Sequence, residues 1–239
     1  MNTFAVGDIH GCSRTLRALI EDYIVPSAGD RFIFLGDYID RGPGSRQVID
    51  YLQTLATQGL ETVFIGGNHE EVALKAYDTA KEQHKKRSFF FKPSNPALAS
   101  WLRMGGTECL QSFGLDSVLA IPESYVDWMR ACADYYEHPH YLLVHGGFNF
   151  SLPDIFSDQH AMRWIREFEV DLGKTGNRGV VHGHVPVSLD LIKLCAADEK
   201  SVFFPLDNGC VYNNRPGMGN LVAMQLENRR LFVAPNQDM

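Results

Sequence analysis

Basic residues are in short supply in this chain, where 22 Lys and Arg stand against 29 Asp and Glu for a formal net charge of −7. A general binder of nucleic-acid backbones or anionic membranes needs a basic surface, so neither nucleic acid nor membrane is expected as a partner. Cysteine is also sparse. Cys12, Cys109, Cys132, Cys195 and Cys210 are odd in number, scattered and without a Cys-x-x-Cys pair, which argues against a disulfide framework and fits reduced thiols. No apolar run approaches the ~18 residues of a membrane span. Met1-Asn-Thr-Phe-Ala-Val-Gly-Asp8 has neither the basic nor the apolar region of a signal peptide, so a cytoplasmic location is expected. A Pro/Ser/Gly-rich linker, an internal repeat and a low-complexity tract are all missing. Residues 1–239 are therefore expected to form one domain.

What is present reads as a layered α/β protein. Phe4-Ala-Val6, Phe32 to Leu35 and Thr62-Val-Phe-Ile65 are three short apolar runs, and helical spacing follows each of them. Leu16, Leu19, Ile20 and Tyr23 predict a first helix with Ser13 placed to cap it. Val48, Ile49, Leu52, Leu55 and Ala56 predict a second, with Ser45 near its start and Gly59 past its end. A third helix is expected over 70–80. Strand, loop and helix in repeated succession imply parallel strands joined by right-handed crossovers. Further helices are expected over 97–113 and 122–133, and buried strands at Tyr141-Leu-Leu-Val144 and Gly179-Val-Val181. From Leu189-Asp-Leu-Ile-Lys-Leu194 onward, through Ser201-Val-Phe-Phe204, Asn220 to Met224 and Arg230 to Val233, the pattern predicts strands of a second, largely antiparallel sheet. The basic run Lys81 to Arg87 and the patch Phe89-Phe-Phe91 mark an insertion, and 78–104 is a candidate lid. The plainer reading of the run is a solvated helix face.

Five strand ends finish in polar, glycine-containing clusters: Gly7-Asp-Ile-His-Gly11, Gly36-Asp-Tyr-Ile-Asp-Arg-Gly42, Gly67-Asn-His-Glu70, His145-Gly-Gly147 and Gly183-His-Val-Pro186. Loops at the carboxyl ends of strands converge on one edge of an α/β sheet, where ligands bind. Asp8 and His10 are two apart, so in extended backbone both side chains fall on one side and can share a metal ion. Asp37 can bridge two ions with its two oxygens. Asn68, His145 and His184 complete a second ion's donors. Mixed nitrogen and oxygen donors suit Mn, Fe or Zn better than Ca. Each signal alone is weak; the conjunction of five loops carries the reading.

These motifs resemble those of the calcineurin-like metallophosphoesterase superfamily, and within it the phosphoprotein phosphatases of the small bacterial and phage-lambda type. Trp101-Leu-Arg-Met-Gly-Gly106 with Ser112-Phe-Gly114, Trp164-Ile-Arg-Glu167 and Gly183-His-Val-Pro-Val187 extend the likeness along the chain. The resemblance implies a two-sheet sandwich of mixed β-sheets flanked by helices, and a dinuclear metal centre, most readily manganese. It implies that Asp8, His10 and Asp37 hold the first ion and Asp37, Asn68, His145 and His184 the second. His69 and Asp40 would form the acid pair, while Arg41, Arg166 and Asn68 would contact phosphate. A hydroxide bridging the ions would attack phosphorus in line, without a phosphoenzyme. The implied substrate is a phosphoserine, phosphothreonine or phosphotyrosine side chain of a protein, and a monomer is the expected state.

Pro186 stands where the wider superfamily carries a second His, and Asn208 replaces the Thr of an Asp-Thr-Gly element at Asp207-Asn-Gly209, whose role stays open. His182 reads as a buried structural residue, and His84, His138, His140 and His160 as ordinary ones. The runner-up activity is that of a symmetrical diadenosine tetraphosphatase with the same metal site. Glu70, where that group resembles Gly-Asn-His-Asp, and the Trp101 to Gly106 pattern count against it. A nuclease or phosphodiesterase fits the acidic charge poorly. An inactive metal-binding scaffold would be expected to lack the acid or a phosphate arginine, and this chain has both.

Overall fold

The computed structural model describes residues 1–85 and 94–239. The Phe89-Phe-Phe91 patch and the end of the basic run lie outside the described residues, so the candidate lid 78–104 is described only on its two flanks.

Strands β1 (Thr3–Val6), β2 (Arg31–Phe34) and β3 (Glu61–Phe64) are parallel, with Phe4 opposite Phe32 and Phe32 opposite Thr62. Helices α1 (Ser13–Ala18), continued by a π-helical turn over Leu19–Ile24, and α2 (Ser45–Thr57) make the two crossovers, and α3 (Asn68–Lys85) follows β3. Successive residues of a strand face opposite ways. Phe4, Val6, Phe32 and Phe34 accordingly pack with Leu16, Leu19, Val48 and Leu52 under the helices, while Ala5 and Ile33 face a second sheet.

That second sheet consists of β4 (Tyr135–Glu137), β5 (Tyr141–Val144), β6 (Gly179–His182) and β7 (Phe203–Pro205), in that order. Leu143, Val181 and Phe204 meet Ala5, Ile33 and Ile65 between the layers. The architecture is therefore the expected α/β sandwich of two mixed sheets flanked by helices. Strand β4 has no counterpart in the sequence reading.

The last third departs from expectation in two ways. Strands β8 (Asn220–Gln225) and β9 (Arg230–Pro235) extend the first sheet, with β8 antiparallel to β1. Leu221-Val-Ala-Met224 is buried throughout, as a strand between two partners and two layers must be. The second sheet is mostly parallel instead, because β5 pairs β6 and β6 pairs β7 in that sense. Parallel neighbours need a crossover, and the segment expected as a strand at Leu189–Leu194 is that crossover, a helix over Leu189–Ala197. Ser188 caps it by accepting from Leu191 N at 3.3 Å. Ile192 is buried while Leu191 and Leu194 are exposed, so the apparent alternation Leu189, Leu191 was not the pattern of burial.

The single helix expected over 97–113 is divided. It runs as α4 (Pro96–Trp101), a π-helical turn over Leu102–Gly106 and α5 (Thr107–Phe113), broken where Gly105 takes φ 114°. Ser13 is not a cap either, and Ser45, at the start of α2, bonds elsewhere. Ser45 Oγ accepts from Asp40 N at 2.9 Å, inside the second strand-end loop. The first helix is capped from the far end of the chain, where the Asp238 carboxylate accepts from Arg14 N at 3.0 Å, Thr15 N at 2.9 Å and Thr15 Oγ1 at 2.6 Å.

A cap residue replaced by alanine costs about 0.5–2 kcal/mol, and the Asp238 side chain is only 2% exposed. Asp238→Ala is therefore expected to lower stability by about 1–2 kcal/mol in urea denaturation, and an unchanged midpoint would show that the cap contributes nothing.

Candidate active site

All five polar strand ends meet at one edge of the sandwich. Asp8, His10, Asp37, Asp40, Asn68, His69 and His145 are each no more than 4% exposed. Buried ionisable groups at this density are unusual unless paired or ligated. The backbone that presents them is unusual as well. His10, Asp37, Asp40, Arg41 and His184 all take positive φ, between 45° and 72°, a region that costs non-glycine residues energy and clusters at functional sites.

Glu70, on the first turn of α3, holds the second loop in that shape. Its carboxylate accepts from Asp37 N at 3.0 Å, Tyr38 N at 2.8 Å, Ile39 N at 3.3 Å and Gly67 N at 2.9 Å. Burial, then the neighbouring Asp37 charge, pushes Glu70 up to about 7 against the pull of those donors. A Cβ on Gly67 would lie 2.2 Å from Asp37 Oδ1, so only glycine permits the two loops to approach this closely.

Two donor groups form around Asp37. Single ligand atoms of His10, Asp37 and His69 lie within 4.8 Å of one another, and so do those of Asp37, His145 and His184. His145 Nδ1 donates to Leu35 O at 2.8 Å, which leaves Nε2 as a lone pair 3.0 Å from Asn68 Oδ1 and 3.4 Å from Asp37 Oδ1. His184 Nδ1 lies 3.1 Å from the same Asn68 oxygen, and its buried Nε2 has no partner. His10 Nδ1 donates to Ile39 O at 3.1 Å, turning Nε2 toward Asp37 Oδ2 at 3.5 Å. Burial pushes the imidazoles down, His145 and His184 to about 3, and pushes the carboxylates up, Asp37 to about 7. Lone pairs therefore converge where protons are disfavoured. That donor set fits divalent cations, which take carboxylate oxygen, amide oxygen and neutral imidazole together.

Asp8 falls outside both groups. Its oxygens accept from His184 N at 2.9 and 3.2 Å, and burial together with the charges of Asp207 and Asp37 raises its pKa well above the usual range. Asp207, left without a role by the sequence, is buried beside it and pushed up to about 7, first by burial. Its place after the apolar run ending at Leu206 was the available signal. Asn208 Nδ2 donates to Val187 O and Gly217 O, both at 2.8 Å, tying the His184 loop to the following turn.

Asp40 turns away from the donor groups. Its carboxylate accepts from His69 Nδ1 at 2.7 Å and from Trp101 Nε1 at 3.0 and 3.1 Å. Arg41 donates to Nε2 of His10 and of His69, each at 2.8 Å, so both imidazoles present Nε2 as acceptors; burial, then the Arg41 charge, depresses His69 to about 2. Arg166 joins Asp37, Arg41, Asn68 and His184 around a cleft of about 300 Å³. His182 lies buried against Phe168 and Phe203, its Nδ1 donating to Gly183 O at 3.0 Å.

Buried Asp, Asn and His donors gathered at the strand ends of a two-sheet sandwich are a set that could hold divalent ions. The chain belongs to the calcineurin-like phosphoesterases, whose sequence profile matches residues 1–217. Members of that family use a dinuclear metal centre. Among curated relatives it is similar to the symmetrical bis(5'-nucleosyl)-tetraphosphatases of Cellvibrio japonicus, at 35% identity over 106 residues covering 43% of this chain and 38% of the relative. The Coxiella burnetii enzyme of the same name is 32% identical over 106 residues, covering 43% and 35%. The match thus spans little more than a third of those relatives. Two solved structures share the fold across 100% of this chain. One is a protein serine/threonine phosphatase of Saccharomyces cerevisiae with TM-score 0.61, 14% identity and 80% of that chain covered. The other is a cold-active protein-tyrosine phosphatase of a Shewanella species, with TM-score 0.58, 14% identity and 78% covered.

Because Glu70 satisfies four buried N–H groups, Glu70→Gln is expected to destabilise the protein by about 2–4 kcal/mol, since hydrogen bonds to a charged acceptor are worth ~1.5–3 kcal/mol and orphaned donors add cost. Glu70→Asp, which keeps the charge and shortens the reach, should fall between. Denaturant titration of the three proteins checks the order, and equal stabilities would overturn the assigned role.

Proposed function

We propose that the chain is a divalent-metal-dependent hydrolase that cleaves dinucleoside tetraphosphates symmetrically. The chemistry rests on one observation, the convergence of Asn68 Oδ1 and Asp37 Oδ1 on His145 Nε2, at 3.0 and 3.4 Å. The substrate rests on the curated relatives, which are named for that activity. Glu70 and Trp101, which weigh against it on sequence, bond loop backbone and Asp40, positions that serve either substrate. Phosphoprotein hydrolysis, implied by the sequence resemblance, would use the same centre and is the competing reading.

In this proposal Asp37 would serve both ions, His10 would hold one together with Asp8, which lies outside the two close donor groups, and Asn68, His145 and His184 would hold the other, with Mn²⁺, Fe or Zn suited to the mixed donors. When bound, the ions supply Lewis-acid charge to the phosphate and lower the pKa of the attacking water. Arg41 and Arg166 donate to the non-bridging phosphate oxygens, with Arg41 exchanging its two imidazole acceptors for them. His69 Nε2 is then free to take up a proton from water and pass it to the leaving oxygen, while Asp40, held by Trp101, keeps the opposite nitrogen protonated and offsets the imidazolium charge. The whole of 1–239 serves as one catalytic unit in the cytoplasm, acting on a small anion without nucleic acid or membrane.

Rates on diadenosine tetraphosphate, a phosphoserine peptide and a phosphotyrosine peptide, each with Mn²⁺ and with a chelator, test the reading. The dinucleotide is expected to be cleaved fastest, to two ADP, and the chelator to abolish all three rates. Faster cleavage of either peptide would replace the dinucleotide by the phosphoprotein reading.

Roles within the centre separate by metal content. Asp37→Asn is expected to lose bound metal by elemental analysis, while His69→Asn retains it and loses turnover. A general acid contributes ~10²–10⁴-fold, most where the leaving group is a basic alkoxide. The His69→Asn loss should therefore be larger on an alkyl phosphate than on the dinucleotide, whose leaving group is already a weak base. Equal metal loss in the two variants would make His69 a ligand.

A further inference from the structure

We infer that a second basin beside the donor cluster seats the base of the leaving nucleotide, with the Tyr212 ring as its stacking platform; this rests on the dinucleotide reading above. The basin has a volume of about 470 Å³ and adjoins the 300 Å³ cleft, Arg41, Met104 and Tyr212 lining both. Sites for small organic ligands run from roughly 300 to 1,000 Å³, so a nucleoside can be accommodated. Arg41 spans the boundary. Its guanidinium hydrogen-bonds both imidazoles of the reaction centre and stands 5.9 Å from the Tyr212 ring centre. A base on that ring is thus one arginine's breadth from the phosphate being cleaved.

The ring is held in place. Tyr212 N donates to Gly209 O at 2.8 Å, and a Cβ on Gly209 would lie 2.7 Å from the ring, so the aromatic edge packs directly on that glycine. The Asn208 bonds to Val187 and Gly217 fix the turn that carries it. Arg215 lies over the ring at 4.0 Å, a cation on a π-face of a kind recurrent where bases stack. Met104 supplies an adaptable apolar wall. Arg103, which forms no ion pair among the described residues, lies on the same basin and suits the phosphates of the leaving half, and Glu108 offers an acceptor to an exocyclic amino group. The occupant is therefore a nucleoside diphosphate with an amino-bearing base. This assigns a purpose to the Asp207-Asn-Gly209 turn, which carries a carboxylate beside Asp8 at one end and the stacking ring beyond the other.

Calorimetric titration of the full chain with ADP and with pyrophosphate, for the native protein, Tyr212→Ala and Tyr212→Phe, tests the assignment. Losing one base stack weakens binding by about tenfold, so Tyr212→Ala should weaken ADP about tenfold relative to pyrophosphate, and Tyr212→Phe should bind ADP as the native protein does. In steady state, the ratio of KM for diadenosine tetraphosphate to KM for p-nitrophenyl phosphate should rise about tenfold in the alanine variant. If the dinucleotide is cleaved but Tyr212→Ala leaves ADP affinity unchanged, or weakens pyrophosphate equally, the subsite is overturned and the proposed activity stands. If the native protein cleaves only phosphopeptides, and the variant raises the peptide KM without affecting ADP, the activity itself fails and the basin is a peptide contact.

Discussion

A carboxylate with no access to water must find its hydrogen-bond donors in the protein, and Glu70 takes four of them from two strand-end loops at once. That interaction is what permits the second loop to pass through left-handed backbone at Asp37, Asp40 and Arg41 in quick succession. Such conformations persist only where the surroundings over-determine them. The consequence is directional. Asp37 is aimed at the histidines of three other loops, Asp40 at His69 behind them, and Arg41 across the mouth of the cleft. One loop thus offers a central carboxylate, an orienting carboxylate and a cation, and its entry is set by the N–H groups of Asp37, Tyr38 and Ile39 pointing at Glu70.

Electrostatics complete what the backbone begins. Burial lifts the carboxylates and depresses the imidazoles, so neither kind of group is comfortable in its charged form without a counter-charge. Backbone carbonyls of Leu35 and Ile39 consume the Nδ1 protons of His145 and His10, fixing tautomers that leave Nε2 unprotonated. Second partners of this sort decide whether an imidazole can ligate at all. Here they are main-chain oxygens belonging to the strand and loop that also carry Asp37, so ligand orientation is coupled to the first sheet.

Much of this was legible in the residues because the chemistry sits in short, glycine-flanked loops after apolar runs, and such runs announce strand ends without any tertiary information. The layered sandwich, the first three parallel strands and the meeting of Asp37, Asn68, His145 and His184 follow from that pattern. Other features depend on distant partners. Asp238 caps a helix more than two hundred residues away, with a separation of 224 positions to Arg14, and no local signal carries such a contact. Leu189 to Leu194 alternates like a strand yet forms the crossover that parallel pairing of β6 with β7 demands. Local pattern and topology conflicted there, and topology prevailed. Ser45, placed near a helix start, and Glu70, placed in a motif, both accept hydrogen bonds from the backbone of loop 36–42, a service that neither position announces.

The same distinction explains why the motifs define the reaction more sharply than the substrate. The residues that make them recognisable either are buried donors or hold those donors in place: Glu70 binds loop backbone, Trp101 binds Asp40, and Gly67 admits the close approach of two loops. The neighbouring basin is lined instead by Tyr212, Met104 and Arg103, residues of a turn and a broken helix outside the five strand ends, and in the proposed reading it takes the group beyond the scissile phosphate. A centre built this way can serve esters and anhydrides alike, because the phosphate it grips is common to both. Discrimination must then come from contacts to the leaving half, whose cost or gain is set by stacking and by one or two unpaired cations rather than by the buried core. Substrate choice in this fold can therefore change on the rim while the four N–H groups on Glu70, and all that depends on them, stay as they are.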